Sequence, residues 1–265
     1  MPRRILLPRK VAPLAALVLL LALLYVPRTR YALRSLVCYP AHPAHYAEYR
    51  HFGIRLPEGY AVHGIDVSRY QQDIDWERVA TMQMGDKRVH FAFIKATEGS
   101  AWTAPRFEAN WRESRRAGLM RGAYHYFLPH LSPEDQFRHF SRVAALKSGD
   151  LPPVVDVEER RGMSVSQVLR YTLRFLQLLE RRYGVRPILY TNRDFYRQHF
   201  AGVTDFERYP LWIAHYYVEA LSLPDDRRWH FWQHNDGGRV NGIRYATDFN
   251  VFNGDSVALR RLRLR

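Results

Sequence analysis

The stretch Pro152-Pro153-Val154-Val155-Asp156-Val157-Glu158 ends an apolar run with two carboxylates spaced two residues apart. Side chains of a β-strand alternate between its faces, so this spacing predicts that Asp156 and Glu158 point to the same face. Two unbalanced carboxylates at the end of a buried strand are costly unless they contact solvent, a cation or a substrate. The chemistry most often built on such a pair is glycoside hydrolysis, in which one carboxyl group protonates the leaving oxygen. A structural alternative is a helix cap or an ion pair, because Arg160 and Arg161 follow closely.

The chain on both sides of this stretch alternates short apolar runs with helical segments. Ser132 before a proline, and Ser164 with Gln167 three positions later, predict the starts of two helices, and Gly184 predicts the end of the second. Helices separate the early strands, whereas the last strands follow one another closely. The sequence therefore predicts an α/β fold, a single irregular TIM-like (β/α)-barrel of about eight strands that lacks helices after its last strands. The candidate strands are Val62 to Asp66, His90 to Lys95, Arg121 to Phe127, Pro153 to Glu158, Pro187 to Thr191, Leu211 to His215, Trp229 to His234 and Tyr245 to Phe249.

Further acidic residues lie at the ends of the candidate strands. Asp66 closes the first strand and Asp248 closes the last, just as Asp156 and Glu158 close the fourth. Active groups of such barrels lie at the C-terminal ends of the strands, and closure places the first and last strands side by side. We therefore expect these four carboxylates to converge on one mouth, where crowding keeps one of them protonated as a general acid.

Aromatic and amide side chains on the same strands are candidates for binding a sugar. Flat rings stack on pyranose faces, and amide or hydroxyl groups bond to the ring substituents. Aromatic residues on strands are also common in protein cores, so each of them has a packing alternative. The candidate substrate-binding residues are Tyr124, Tyr126, Tyr190, Trp212, Trp232 and Gln233.

The composition favours an anionic partner. The 265 residues include 40 Lys and Arg against 26 Asp and Glu, a net charge of +14. Nucleic acid, anionic lipid and anionic wall polymer all attract such a chain, but no zinc-finger, RRM or helix-turn-helix signature favours a specific nucleic-acid site. The single cysteine, Cys38, excludes an intrachain disulfide. No cofactor or metal is expected, because His42, His45 and His51 lack partners at ligand spacing, and the chain is expected to be a monomer.

The first part of the sequence has the pattern of a membrane anchor. Basic residues within 1–10 precede an uncharged apolar run, which Pro27 and Arg28 close. This pattern predicts a transmembrane signal anchor at 11–27, with residues 1–10 in the cytoplasm and the rest outside, or a secreted protein if the segment is cleaved. The domains predicted beyond it are a linker at 28–60, a glycoside hydrolase barrel at 61–256 and a basic tail at 257–265.

A series of motifs runs in order from about Val62 to Gly254. They are His63-Gly64-Ile65-Asp66-Val67-Ser68, Lys95-Ala96-Thr97-Glu98-Gly99, Gly122-Ala123-Tyr124-His125-Tyr126-Phe127, Val154-Val155-Asp156-Val157-Glu158, Pro187-Ile188-Leu189-Tyr190-Thr191-Asn192, Leu211-Trp212-Ile213-Ala214, Trp232-Gln233 and Asp248-Phe249-Asn250. This series resembles the glycoside hydrolase family 25 lysozymes, the Chalaropsis-type N-acetylmuramidases. One departure is Trp102-Thr103-Ala104-Pro105, which stands where an Asp-Pro pair is common in that family.

The resemblance implies a hydrolase of peptidoglycan glycan strands that cleaves the β-1,4 bond between N-acetylmuramic acid and N-acetylglucosamine. It implies that Glu158 is the catalytic acid and base and that Asp156 assists the substrate's own 2-acetamido group. Asp66 and Asp248 then match acidic residues that line the cleft. The alternative is a non-catalytic binder of cell-wall glycan on the same barrel, which would need aromatic and amide groups but not four converging carboxylates.

Overall fold

The computed structural model describes residues 46–49 and 51–265. The strands are β1 (Tyr46–Tyr49), β2 (Ile54–Pro57), β3 (Val62–Val67), β4 (Gln83–Met84), β5 (Lys87–Glu98), β6 (Trp102–Thr103), β7 (Met120–Tyr126), β8 (Val154–Asp156), β9 (Ile188–Asn192), β10 (Leu211–Ala214), β11 (Phe231–Gly238) and β12 (Thr247–Phe252). The α-helices are α1 (Trp76–Thr81), α2 (Phe107–Arg116), α3 (Pro133–Val143), α4 (Val165–Tyr183), α5 (Arg193–Phe195) and α6 (Ser256–Arg261). All eight candidate strands of the sequence correspond to strands of the structure.

Those eight strands close into a barrel. Their order is β3-β12-β11-β10-β9-β8-β7-β5, and a β3–β5 pairing closes the circle. Neighbouring strands are parallel except β12, which runs antiparallel to both β11 and β3. Within the described ranges no α-helix separates β10 from β11 or β11 from β12. The predicted irregular barrel is confirmed, and α-helices are missing between its last strands in the described residues, but the prediction of no helix after the last strand is wrong because α6 follows β12.

The core has two layers, because strand residues alternate between the barrel interior and the outside. On β8, Val154 belongs to the interior cluster, whereas Val155 packs in the layer between the strands and the helices. The two longest helices of that outer layer have the predicted caps. Ser132 and Ser164 accept hydrogen bonds at the starts of α3 and α4, and Gly184 ends α4 with a φ of 69°, a left-handed conformation that costs glycine little.

A hairpin covers the barrel where helices are missing. β1 and β2 pair antiparallel, and Phe52, Ile54 and Leu56 are buried in the outer layer. The ring of Phe52 lies 5.3 Å from that of Phe249 on β12, and its carbonyl oxygen accepts a 2.7 Å hydrogen bond from the Arg239 amide. The linker predicted for 28–60 is therefore wrong for 46–57. The sequence analysis missed this strand because its apolar residues at alternate positions lie in a short stretch between a glycine and a proline.

The C-terminal segment is also part of the folded unit. Leu259 on α6 is fully buried, and the amide of Leu264 donates a 2.9 Å hydrogen bond to the Asp150 carbonyl. The carbonyl oxygen of Leu264 accepts a 3.0 Å hydrogen bond from the Gly149 amide. The predicted basic tail at 257–265 is instead a capping segment of the barrel, because Leu259 and Leu264 bury apolar surface there.

The predicted anchor at 11–27 and the predicted cytoplasmic segment at 1–10 lie outside the described residues. Within 46–49 and 51–265, no helix combines the length and the hydrophobicity needed to cross a bilayer.

Candidate active site

Asp156 and Glu158 point into the end of the barrel at which the parallel strands terminate, called the mouth below. Val154 lies in the barrel interior, and Val155 and Val157 belong to the outer layer. The period of two therefore turns both acids inward, as the sequence predicts. Asp156 is 6 % exposed, and Glu158 is partly buried.

Asp66 and Asp248 form a second acidic pair across the seam between β3 and β12. The two residues are direct neighbours in the antiparallel register, and their carboxyl groups share a hydrogen bond. Burial raises the pKa of Asp66 to about 6. Burial and then the charge of Asp66 raise the pKa of Asp248 well above its usual value. Since two carboxyl groups share a hydrogen bond only when one is protonated, burial favours a form of this pair that retains one proton.

Amide and indole groups fix the position of Asp66. Gln233 Nε2 and Asn250 Nδ2 both donate to Asp66 Oδ2, at 2.7 and 2.8 Å. Trp212 Nε1 donates at 2.8 Å to Asn250 Oδ1 and so orients that amide. Three strands thus hold one carboxylate oxygen in a buried network.

The same network reaches Glu158 through a tyrosine. The Tyr190 hydroxyl lies 2.8 Å from Gln233 Oε1 and 3.4 Å from Glu158 Oε1, and the Tyr216 hydroxyl donates to the same Gln233 oxygen at 2.8 Å. Gln233 therefore connects the Asp66 pair to the Asp156–Glu158 pair.

The environment of Asp156 and Glu158 favours their protonated forms. Burial and then the charge of Glu158 raise the pKa of Asp156 well above its usual value. Burial also raises the pKa of Glu158, although the hydrogen bond from Tyr190 opposes this shift. Asp156 Oδ1 is buried and has no hydrogen-bond partner among the described residues. A ligand group with an N–H or O–H donor would satisfy this oxygen.

One wall of the mouth combines a cation with aromatic rings. Lys95 Nζ forms a 2.8 Å ion pair with Glu98 and lies 4.6 and 5.3 Å from the ring centres of Tyr126 and Trp102. The Tyr126 hydroxyl donates a 2.6 Å hydrogen bond to Glu159. The positive charge of Lys95 lowers the pKa of both Asp156 and Glu158, against the larger effect of burial.

The candidate substrate-binding residues divide into three groups. Tyr124, Tyr126, Tyr190 and Gln233 lie at the mouth, and the charges of all four acids act on the Tyr124 hydroxyl. Trp212 lies deeper, 2 % exposed and stacked on Phe93 with ring centres 4.5 Å apart, and forms the floor.

The prediction for Trp232 is wrong. It is fully buried in the outer layer, where its Nε1 donates to the His215 carbonyl at 2.8 Å. Because Gln233 faces inward, its neighbour on the same strand has to face outward.

The sequence interpretation missed several groups at the mouth. Asn250 follows Asp248 by two residues, so the strand period was a usable signal. Lys95 ends a candidate strand, which was also a usable signal, whereas Tyr216 carried none. Tyr70 and Tyr217, in loops that follow β3 and β10, remain 67 % and 40 % exposed, and exposed rings at a mouth suit contact with sugars.

The acidic groups at this mouth are not arranged as a set of metal ligands. In the part of the chain that the structure describes, no group of three or more His, Cys, Asp or Glu residues is arranged to hold a metal ion.

Comparison with known proteins agrees with this geometry. The family model described as "Glycosyl hydrolases family 25" matches residues 65–243. The chain belongs to glycosyl hydrolase family 25. It is therefore a glycoside hydrolase, as the acid pair predicts.

Several known proteins match most of the chain. Lysozyme M1 of Streptomyces globisporus is 33% identical over 213 residues, which cover 76% of this chain and 71% of that protein. The Escherichia coli K12 protein YegX, named as uncharacterized, is 46% identical over 209 residues, 79% of this chain and 76% of YegX. The crystal structure of the bacterial lysozyme from Streptomyces coelicolor superimposes with a TM-score of 0.71 at 31% identity and covers 78% of this chain and 98% of that one.

Proposed function

We propose that this protein is a monomeric N-acetylmuramidase of the Chalaropsis type, which cleaves the β-1,4 bond between N-acetylmuramic acid and N-acetylglucosamine in peptidoglycan. The observation that carries the proposal is the pair Asp156 and Glu158, both turned into the mouth of a family 25 barrel and both with raised pKa values. Lysozyme names among the relatives support the choice of substrate.

In this proposal Glu158 is the general acid. Its raised pKa keeps the carboxyl group protonated, so that it transfers its proton to the glycosidic oxygen as the bond from that oxygen to the anomeric carbon breaks. The carbonyl oxygen of the substrate's 2-acetamido group bonds to the anomeric carbon in the same step. The ionised Glu158 then takes a proton from water, the water oxygen replaces the acetamido oxygen, and the configuration is retained.

Asp156 acts on the acetamido group. Its Oδ1, which lacks a protein partner, accepts the hydrogen bond from the acetamido N–H and so orients that group for attack on the anomeric carbon. Asp66 and Asp248 share one proton and, through Gln233 and Tyr190, hold Glu158 in place. Their role is to position the acid and to line the cleft.

Product analysis tests the reaction. Purified peptidoglycan is digested and reduced with borohydride, and mass spectrometry identifies the sugar at the new reducing end. Muramitol is the expected product, whereas glucosaminitol would indicate a glucosaminidase and intact glycan chains would indicate a binding protein.

Matched variants test the assignment of the acid. Glu158→Gln is expected to lower the rate about 10²- to 10⁴-fold, the usual contribution of a general acid. Glu134→Gln changes a surface glutamate that pairs with Arg174 at 2.6 Å and is expected to retain the wild-type rate. Unchanged lysis by the Glu158 variant would reject its role.

We further propose that residues 11–27 anchor the protein in a membrane and that the catalytic barrel lies outside the cytoplasm. The support is the uncharged apolar run between basic flanks and a substrate that lies outside the cytoplasm. If the segment is cleaved, the protein is secreted. The net charge of +14 makes anionic lipid or anionic wall polymer a further partner.

A further inference from the structure

The end of the barrel opposite the mouth, called the base below, collects positive charge. The main helices run back against the strands, so their last turns lie at the base. Arg115 and Arg116 end α2, and Arg181 and Arg182 occupy the last turn of α4. Cations at a helix C-terminus are favoured by the helix dipole, which explains part of this distribution.

A groove along the outside of α2 runs from Thr103 and Glu108, near the mouth end of the barrel, to the charges at the base. It has a volume of about 980 Å³, and its lining includes Arg112, Arg115, Arg116, Lys147 and Trp111. The floor is rigid, because the guanidinium of Arg121 stacks 3.7 Å above the Trp111 ring and pairs with buried Asp150 at 2.9 Å.

A second basic group adjoins the groove. Arg260, Arg261, Arg263 and Arg265 surround a smaller depression that Ser148 and Gly149 also line. The backbone bonds between Leu264 and residues 149–150 join the C-terminal segment to the loop that carries Lys147. The two groups therefore form one continuous basic surface.

Most of these charges have no internal partner. We define the basal cluster by the exposed residues of this surface that lack an ion pair, which are Arg115, Arg116, Lys147, Arg260, Arg261 and Arg265; Arg112 is also exposed but pairs with Glu113 at 3.3 Å. No member of the cluster forms an ion pair with a carboxylate among the described residues. Lys147 and Arg265 lie outside the helices, so the helix dipole does not account for them.

The basal cluster and the buried acids of the mouth lie at opposite ends of the barrel. The mouth holds Asp66, Asp156, Glu158 and Asp248, whereas the base holds the basal cluster. An anionic surface would attract the exposed cations of the basal cluster, which turns the base towards that surface.

The chain also enters the folded unit at the base. At the turn of the β1–β2 hairpin, Phe52 contacts Phe249 and Arg239 near the mouth end of β12 and β11. At the open end of the hairpin, Tyr46 pairs with Pro57. Tyr60, three residues further, packs on Trp229 just before β11, with ring centres 5.7 Å apart. Tyr46 therefore lies towards the base.

We propose that the basal cluster docks on an anionic phospholipid bilayer and holds the mouth away from the membrane, towards the wall. Both the entry of the chain at the base and the predicted anchor that precedes it favour lipid over a wall polymer or nucleic acid, so the choice of lipid depends on the membrane anchoring proposed above. The mouth then reaches glycan strands while the base stays on the headgroups. Each basic residue at an anionic surface changes the docking equilibrium about fivefold.

Hydrogen exchange on the full chain tests this proposal. The protein is placed in nanodiscs of phosphatidylcholine alone or mixed with phosphatidylglycerol, and exchange is followed by mass spectrometry. Amides of 107–117 and 256–265 are expected to exchange several-fold more slowly in the phosphatidylglycerol discs, and added salt should reverse this protection. Amides of 154–158 at the mouth should exchange equally in both.

Two variants with equal loss of charge separate docking from a general charge effect. Arg115, Arg116, Arg260 and Arg261 are changed to Gln in the basal variant, and Arg138, Arg170, Arg197 and Arg244 are changed to Gln in the control. The basal variant is expected to lose the lipid-dependent protection, and the control is expected to keep it.

Several outcomes would overturn the proposal. They are equal exchange in the two lipids, protection that survives in the basal variant, and protection by added nucleic acid or wall polymer without protection by phosphatidylglycerol. Failure of the full chain to enter discs of either composition would instead reject the anchor. Muramitol release by the same protein tests the proposed muramidase reaction independently of lipid docking.

Discussion

Removal of one hydroxyl should change the pH range in which the enzyme works. The Tyr190 hydroxyl lies 3.4 Å from Glu158 Oε1 and 2.8 Å from Gln233 Oε1. Its interaction with Glu158 stabilises the carboxylate form and lowers the pKa of that residue. Tyr190→Phe removes this interaction, so the pKa of Glu158 should rise further.

The size of the change follows from the geometry. A hydrogen bond to an ionised group contributes about 1.5–3 kcal/mol at ordinary length. The separation of 3.4 Å is long for a hydroxyl donor, and the single proton is shared with Gln233, so ~1 kcal/mol is a reasonable value. Since a pKa unit corresponds to about 1.4 kcal/mol, the expected rise is ~0.5–1 unit.

The assay is the pH profile of kcat/KM for muramidase activity. A general acid works in its protonated form, so the alkaline limb of the profile marks its ionisation and should move to higher pH in the variant. Gln233 Oε1 keeps its 2.8 Å bond from Tyr216, which limits the loss of structure. Tyr209→Phe is the matched control, because that buried hydroxyl donates to Glu180 at 3.2 Å on α4.

A shift in the opposite direction would refute the reasoning, since it would mean that Tyr190 stabilises the protonated acid. An unchanged alkaline limb together with a folded variant would show that Glu158 does not control that limb. A similar shift in the Tyr209 variant would indicate a general effect of losing a buried hydroxyl.

Two further predictions concern stability. The folded-state pKa of Asp66 is raised from 3.8 to about 6, so the folded state binds more protons and the free energy of unfolding falls as pH rises through this window, by at most ~3 kcal/mol. Asp66→Asn should reduce that slope in urea titrations across the window by the contribution of one carboxyl group, because Asp156, Glu158 and Asp248 also have raised pKa values, and an unchanged slope would contradict the shift. A chain that starts at Tyr60 should be less stable than one that starts at His45, because Phe52 and Leu56 each contribute about 1.5–3 kcal/mol by burial. Equal denaturation midpoints would show that the hairpin is dispensable.

The barrel was predictable because strand period and helix caps are local signals. Apolar runs at regular intervals located all eight strands, and Ser164 and Gly184 bounded α4 within a residue. The hairpin and the C-terminal cap were missed for a common reason. Each contributes only two or three apolar side chains, which become significant only against a surface that other strands build.

The candidate site was predictable to the level of strand ends but not of side-chain orientation. The acids converge because barrel topology brings strand ends together, whatever the exact register. Trp232 was misassigned because two adjacent residues of one strand were both placed at the mouth. The hydrogen bonds from Gln233 and Asn250 to Asp66 could not be predicted from the sequence. The two donors lie 167 and 184 residues from Asp66 in the chain, and only the closed barrel brings them into contact.

The antiparallel last strand, β12, affects the limits at which this domain can be excised. The family match spans 65–243, which omits β12 with Asp248, the C-terminal cap and the covering hairpin. A fragment excised at those limits would lose one of the eight barrel strands, one member of an acidic pair and the hairpin that buries an apolar outer face. The limits of the family match and the limits of the folded unit therefore differ in this protein, and a domain transplanted into a chimera has to follow the second.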